Sequence, residues 1–313
     1  MLFPHPLGPL MATNSWRAIS SETPSSACTV RSPVLYSRVT FLSEIKPVLS
    51  ATDGAHANRD HDFSIVAERA DFLVVQKPPF LLVHPTKPSS VRTLWGELRQ
   101  LLAFEIANGG QVSIVNRLDR ETSGLVLVAK NAAAARRFGL LMQEQRIAKE
   151  YLAIVWGWPE WETRSVAAPL ARQGVHVPSP IWLKQMIHPL GTPARTDFRV
   201  EERFTRGANA ERFAVIRAFP KTGRTHQIRV HLASLGHSIV GDKIYGPDEK
   251  LYLEFIETGW TSNLERQLLL PRHALHSAAL EIEGGERWTS ALPADLASFL
   301  CHPERSEAQS KDL

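Results

Sequence analysis

Val112-Ser-Ile-Val-Asn-Arg-Leu-Asp-Arg-Glu-Thr-Ser-Gly-Leu-Val-Leu-Val-Ala-Lys130 sets a mostly polar octet, Asn116 to Ser123, between two apolar runs. Runs of that length without polar alternation read as strands buried on both faces. A polar loop between buried strands is where a site is usually built. Asp119 stands in that loop with Arg117, Arg120, Glu121, Thr122 and Ser123 around it. Taken alone, it reads equally well as a turn cap or as the partner of a neighbouring arginine.

Upstream, Phe72-Leu-Val-Val-Gln76 is a short apolar run stopped by Lys77-Pro-Pro79, as a strand entering a fixed turn would be. Downstream, Asn131 is placed to cap a helix running to Gln145, with Phe138, Leu141 and Met142 at helical spacing. Lys149 to Trp156 follows as a strand, and Gly157 to Pro193, rich in Pro and Gly, as a long excursion. Thr196–Val200 and Arg212–Phe219 alternate apolar with polar residues, as two strands of a meander do. Thr225 is expected to cap a helix with Ile228, Leu232 and Leu235 on its inner face and Gly236 as its stop. Ala274 to Ile282 is the last strong strand candidate. Strands outnumber helices and do not alternate regularly with them. The expectation is therefore an α+β fold with a mixed, largely antiparallel sheet flanked by helices and loops, rather than a doubly wound one.

The chain has 313 residues, 43% of them hydrophobic, enough for a substantial core. Its formal charge is +4 and its pI about 9.2, which suits a polyanionic partner without requiring one. Cys28 and Cys301 lie near opposite ends, so neither a disulfide framework nor a zinc site is suggested. His226 and His231, five apart, do not share a helix face as metal ligands four apart would. No run reaches the length of a membrane span. Residues 1–61 lack periodicity and read as a poorly ordered extension, 62–300 as the ordered domain, and 301–313 as a disordered tail.

Two further residues stand out. Arg229 lies one position from the inward Ile228, so it emerges beside a buried face. There it would seek a carboxylate and hold it ionised. Tyr151 sits among aliphatics in its strand and reads as a core aromatic with a polar tip.

Asn116-Arg-Leu-Asp-Arg-Glu-Thr-Ser-Gly124 resembles the catalytic loop of the RluA-type pseudouridine synthases, usually H-R-L-D-x-x-T-S-G. Lys149-Glu-Tyr-Leu-Ala-Ile-Val155 is similar to the family's second motif. Gly223-Arg-Thr-His-Gln-Ile-Arg-Val-His-Leu232, continuing to Gly241-Asp-Lys-Ile-Tyr-Gly246, is similar to its third. Weaker matches are Val74 to Pro78, His84-Pro85 and Leu275-His-Ser277. The resemblance covers about residues 62 to 300.

It implies the pseudouridine synthase fold, with an active-site cleft across the sheet, and the isomerisation of uridine in ribosomal or transfer RNA without metal or other cofactor. Asp119 would be the catalytic aspartate, Arg229 its partner, and Tyr151 the aromatic that stacks on the target base with Ile228 packed against its ring. Arg117, Leu118, Thr122, Arg224, His226 and Gln227 would join Ile228 in binding substrate. Arg117, Arg120, Lys130, Arg136, Arg137, Arg224 and Lys243 are candidate phosphate contacts. A cytoplasmic monomer that meets no membrane is the expected setting.

The chain departs from the family at Asn116, where histidine is usual, and it shows no S4-like RNA-binding domain in front. Two rival classes are an RNA-binding or chaperone protein on the same fold, and a hydrolytic base-excision enzyme. Release of free uracil would mark the latter.

Overall fold

The computed structural model describes residues 63–85, 91–207 and 209–301. The extension expected over 1–61 and all of the expected tail except the exposed Cys301 lie outside these. In chain order the elements begin with β1 (Ser64–Glu68), β2 (Phe72–Lys77), α1 (Leu94–Leu101), α2 (Ala103–Ala107), β3 (Ser113–Ile114) and β4 (Ser123–Ala129). Then come α3 (Ala132–Gln143), β5 (Ile147–Trp156), β6 (Thr163–Ala167), β7 (Leu170–Arg172), α4 (Gln173–His176) and β8 (Gln185–Ile187). The last are β9 (Arg195–Arg206), β10 (Glu211–Pro220), α5 (Gln227–Ser234), α6 (Lys250–Thr258), α7 (Ser262–Leu268), β11 (Leu275–Ile282), β12 (Arg287–Thr289) and α8 (Ala294–Leu300).

Ten strands form one sheet whose main path runs β1-β2-β4-β11-β5-β10-β9-β6, with β12 on β11 and β3 on β4. Every pairing is antiparallel except β4 with β11. β7 and β8 make a separate two-stranded sheet.

The uninterrupted apolar runs in β2 and β4 are explained by burial on both faces. Because side chains alternate across a strand, Leu73, Val75, Val126 and Val128 enter the main core with Leu94 and Leu98 of α1. Phe72, Val74, Leu125, Leu127 and Ala129 enter a second core with Ala134 and Phe138 of α3. The Asn131 side chain accepts a hydrogen bond from the Ala134 amide at 2.8 Å, as its position before α3 predicts.

The structure refines two local expectations and corrects a third. Within Val112–Val115 the strand proper is Ser113–Ile114, continued by backbone bonds from Gln111 to Lys130 at 2.8 Å and from Val115 to Leu127 at 2.9 Å before the chain turns into the polar loop. The helix after Lys221-Thr-Gly-Arg224 is not capped by Thr225. It starts at Gln227, behind His226, whose φ of 55° breaks the extended entry that a threonine cap requires. Gly236, at φ 80°, does end that segment. The excursion 157–193 carries three short strands: β6 joins the edge of the large sheet, and β7 and β8 pair with each other.

The β4–β11 contact places the site. His276 pairs with Ser123 and Ser277 with Gly124, so the polar loop enters the sheet at its single parallel junction among the described strands. Gly124 has φ 112°, and a Cβ there would stand 2.2 Å from the Ser277 carbonyl oxygen, so no side chain fits.

Candidate active site

Asn116 anchors the polar loop at its base. It is buried, its Nδ2 donates to the Leu125 carbonyl at 3.2 Å, and its Oδ1 accepts from the Leu127 amide at 2.7 Å. This residue therefore places the loop. Arg117 points to solvent, Leu118 sinks into the main core, and Asp119 is left half-buried between them. The Thr122 amide donates to the Asp119 carbonyl at 3.2 Å and closes the turn.

Asp119 meets α5 across 110 positions of sequence: Arg229 Nη1 donates to Asp119 Oδ2 at 2.9 Å. Arg229 is buried, and its other edge is taken by Asp242, with Nε donating to Oδ2 at 2.7 Å and Nη2 to Oδ1 at 2.9 Å. Two parallel bonds of this kind hold a guanidinium in one plane. Asp242 Oδ1 also accepts from the amides of Ile244 and Tyr245, at 3.0 and 3.1 Å. Arg229 thus faces Asp119 from a clamp built into the following loop.

The electrostatics favour an ionised Asp119. Burial pushes its pKa up, but His226, Arg229 and His273 and the hydrogen bond from Arg229 outweigh this and hold it below the ordinary value. Burial and the neighbouring Arg229 bring His226 itself down to about 4, so it is uncharged at neutral pH. Arg229 is then the cation in contact with the carboxylate. His226 Nδ1 lies 2.9 Å from Tyr245 Oη, and its Nε2 is 4.0 Å from Asp119 Oδ2, too far for a hydrogen bond. Asp242, fully buried, is driven far below the carboxylate range by Arg229 despite its burial.

Tyr151 lies in the same buried core cluster as Ile228 and Leu118, and pairs with Ser277 across β5 and β11. Burial raises its pKa to about 12, and Asp119 adds to the rise, so the phenol keeps its proton.

Beneath the loop, Lys77 is completely buried, with Nζ donating to the carbonyls of Pro78, Leu81 and Arg120 at 2.7, 2.9 and 3.1 Å. Three acceptors match the three N–H groups of an ammonium ion. Burial draws its pKa down to about 7 while Asp119 pulls it back up.

The remaining candidates divide into exposed groups and groups held by partners within the fold. Arg117, Arg120, Arg136 and Arg224 are exposed; Arg224 Nε donates to the Pro193 carbonyl at 3.1 Å. Arg137 is exposed too but pairs with Asp71 at 3.0 Å. Thr122 is buried, with its hydroxyl 2.7 Å from His273 Nε2. Gln227 is also buried: its Oε1 accepts from Thr222 and from the Arg224 amide, and its Nε2 donates to the Arg195 carbonyl and to Thr196. These bonds shape the turn ahead of α5. Lys130 and Lys243, both expected to touch phosphate, are buried and paired, Lys130 with Glu68 at 2.9 Å and Lys243 with Glu121 at 2.8 Å. Neither has a free ammonium to offer. Among the described residues no group of three His, Cys, Asp or Glu side chains is placed to hold a metal ion.

Residue-by-residue reading missed Asp242, Tyr245, His273 and Lys77. Asp242 and Tyr245 had a signal, since they stand in Gly241-Asp-Lys-Ile-Tyr-Gly246, but that run does not show which side chain turns toward Arg229. Gly241 has φ 77°, and a Cβ on it would stand 2.0 Å from the Arg272 carbonyl oxygen.

Residues 71–234, just over half of the chain, match the family profile described as RNA pseudouridylate synthase. The chain belongs to that family. The synthase is 33% identical over 256 residues to the ribosomal large subunit pseudouridine synthase D of Nitrosomonas europaea, covering 79% of this chain and 67% of the relative. It is also 33% identical over 280 residues to the protein of the same name from Pseudomonas aeruginosa, covering 87% and 82%. Among solved structures it resembles human RNA Pseudouridylate Synthase Domain Containing 1, with TM-score 0.54 and 27% identity over 76% of this chain and 86% of that one. Human RNA Pseudouridylate Synthase Domain Containing 4 shares the fold, with TM-score 0.57 at 20% identity over 74% and 90%. The expected RluA-type resemblance, the α+β fold and the isomerase class are all confirmed.

Proposed function

We propose that the synthase isomerises uridine in ribosomal RNA of the large subunit, with Asp119 as its catalytic carboxylate and residues 62–300 as its catalytic domain. The observation that carries this reading is the Arg229 bridge: a half-buried aspartate, held ionised at 2.9 Å by a guanidinium that Asp242 immobilises. The names of the curated relatives point to the large ribosomal subunit.

The reaction breaks the bond between N1 of uracil and C1′ of ribose, turns the base, and joins C5 to C1′. N1 gains a proton and C5 loses one, so no atom is lost and no redox change occurs. Three routes are open to Asp119: attack on C1′, attack on the base, or removal of a ribose proton to give a glycal. Each starts from the ionised carboxylate. The target uridine must first leave its stack, and the Tyr151 ring is the aromatic assigned to receive it. Because Tyr151 keeps its proton up to about pH 12, its hydroxyl serves as a hydrogen-bond donor or proton carrier rather than as a standing anion. The protein is taken to act as a monomer in the cytoplasm. Among the described residues no helix is long and apolar enough to cross a membrane.

Pseudouridine mapping of ribosomal and transfer RNA from cells with the wild-type gene, without it, and with Asp119→Asn tests this reading. A large-subunit site missing from both altered strains is the expected result. A missing transfer RNA site would reassign the substrate, and an unchanged Asp119→Asn strain would overturn the role of Asp119.

A further inference from the structure

From Thr163 to Thr196 the chain has no Asp or Glu, although 32 acidic residues are spread over its 313 positions. The same stretch carries Arg164, Arg172, Lys184 and Arg195, of which Lys184 pairs with Glu249 and Arg195 with Asp197. It contains the small β7–β8 sheet, which is paired separately from the large one. There the Arg172 guanidinium carbon lies 3.7 Å from the centre of the Trp182 ring, and Trp182 is 71% exposed. No carboxylate engages Arg172 among the described residues.

An indole left in water costs free energy unless something covers it. Its position here is set firmly. Ile181, the preceding residue, is 1% exposed and packs with Leu170, Ala194, Tyr245 and Val230 of α5, the helix that carries Arg229. Three residues after Trp182, the Gln185 amide donates to Tyr245 Oη at 2.7 Å, and that hydroxyl lies 2.9 Å from His226 Nδ1 beside Asp119. Trp182 therefore stands on a segment tied to the active site by hydrogen bonds, with the Arg172 cation against its ring.

We propose that Trp182, backed by Arg172, is a stacking platform for an unpaired base of the substrate RNA near the target uridine, and that it helps select RNAs whose neighbouring nucleotides are unstacked. A ring with a cation on one side and water on the other suits a nucleobase, and every base offers a π-face. An apolar protein partner would use the indole but would gain nothing from the Arg172 guanidinium behind it. The proposal rests on the RNA substrate proposed above.

Binding of a fluorescein-labelled 12-residue oligouridylate, followed by anisotropy, tests the platform directly, and turnover of a large-subunit ribosomal RNA transcript tests its use. Trp182→Ala is expected to weaken oligouridylate binding by about fivefold to a hundredfold and to raise KM on the transcript with kcat kept. Trp182→Phe, which keeps a ring, is expected to stay within about twofold of wild type. The exposure of Trp182 predicts unchanged thermal unfolding in both variants, so lost binding is not lost folding. Wild-type affinity in Trp182→Ala overturns the proposal, as does equal weakening by Ala and Phe. If the wild-type enzyme leaves the transcript unmodified, the substrate reading fails, while oligouridylate binding still decides the platform.

Discussion

Asp242 grips Arg229 by two hydrogen bonds, of 2.7 and 2.9 Å, on the guanidinium edge that Asp119 does not use. Asp242 is fully buried and takes two backbone amides as well. The carboxylate proposed as catalytic is thus positioned by a cation that a second carboxylate positions in turn.

Asp242→Asn removes that charge while nearly keeping its shape. A buried arginine left with one half-exposed partner is expected to cost about 3–5 kcal/mol of stability. It should also lower kcat, because Arg229 is no longer held in one plane. Urea unfolding and single-turnover kinetics on the transcript would check both, and kcat unchanged in a folded Asp242→Asn would deny the clamp its part in catalysis.

Arg229→Lys keeps a charge but cannot span two carboxylates. Asp119 has its pKa below the ordinary value in the folded enzyme, so its ionisation contributes stability and activity fully above about pH 4, both lost as pH falls through the lowered pKa. In Arg229→Lys the acidic limb of the kcat profile should move to higher pH, with kcat down by about a hundredfold at neutral pH. An acidic limb that stays where it was would mean another group holds Asp119 ionised.

Lys77→Met takes the donor from three carbonyls under the loop. Unsatisfied buried acceptors cost about 1–3 kcal/mol each where water cannot reach them, so a loss of about 3 kcal/mol is expected. Asn116→Ala should cost about 2 kcal/mol for the same reason, since it strands the Leu125 carbonyl and the Leu127 amide. Thermal melts would detect either, and an Asn116→Ala protein as stable as wild type would show that water replaces the side chain.

Three histidines make the fold sensitive to mild acid. His226, His273 and His276 are each brought down to about pKa 4, chiefly by burial. Their unfolded pKa is about 6.5, so between pH 6.5 and 4 the unfolded chain binds protons that the folded one refuses. Stability is complete above that window and falls as pH drops through it, by at most about 1.4 kcal/mol per pH unit for each histidine. The midpoint of urea unfolding should decline from pH 6.5 downward, and His276→Gln should flatten the slope.

Much of the architecture was legible locally. Phe72–Gln76 and Lys149–Trp156 announced strands because burial on both faces demands unbroken apolar runs. Asn131 announced α3 through a capping bond that depends only on near neighbours. The start of α5 was misjudged because a left-handed His226, unlike a threonine cap, leaves no compositional trace. Lys130 and Lys243 looked free because their partners, Glu68 and Glu121, lie 62 and 122 positions away.

By itself, then, the sequence determined the family and its candidate residues: an aspartate in a polar loop between buried strands, an arginine beside the inner face of a later helix, and three ordered motifs that resemble those of the RluA-type synthases. What the tertiary structure alone decided is which charges touch. The parallel β4–β11 junction and the packing of α5 bring Asp119 to Arg229 and turn Asp242 onto its far edge. Periodicity encodes which face a side chain takes, but a contact between distant residues depends on how whole elements pack, and no local pattern carries that information.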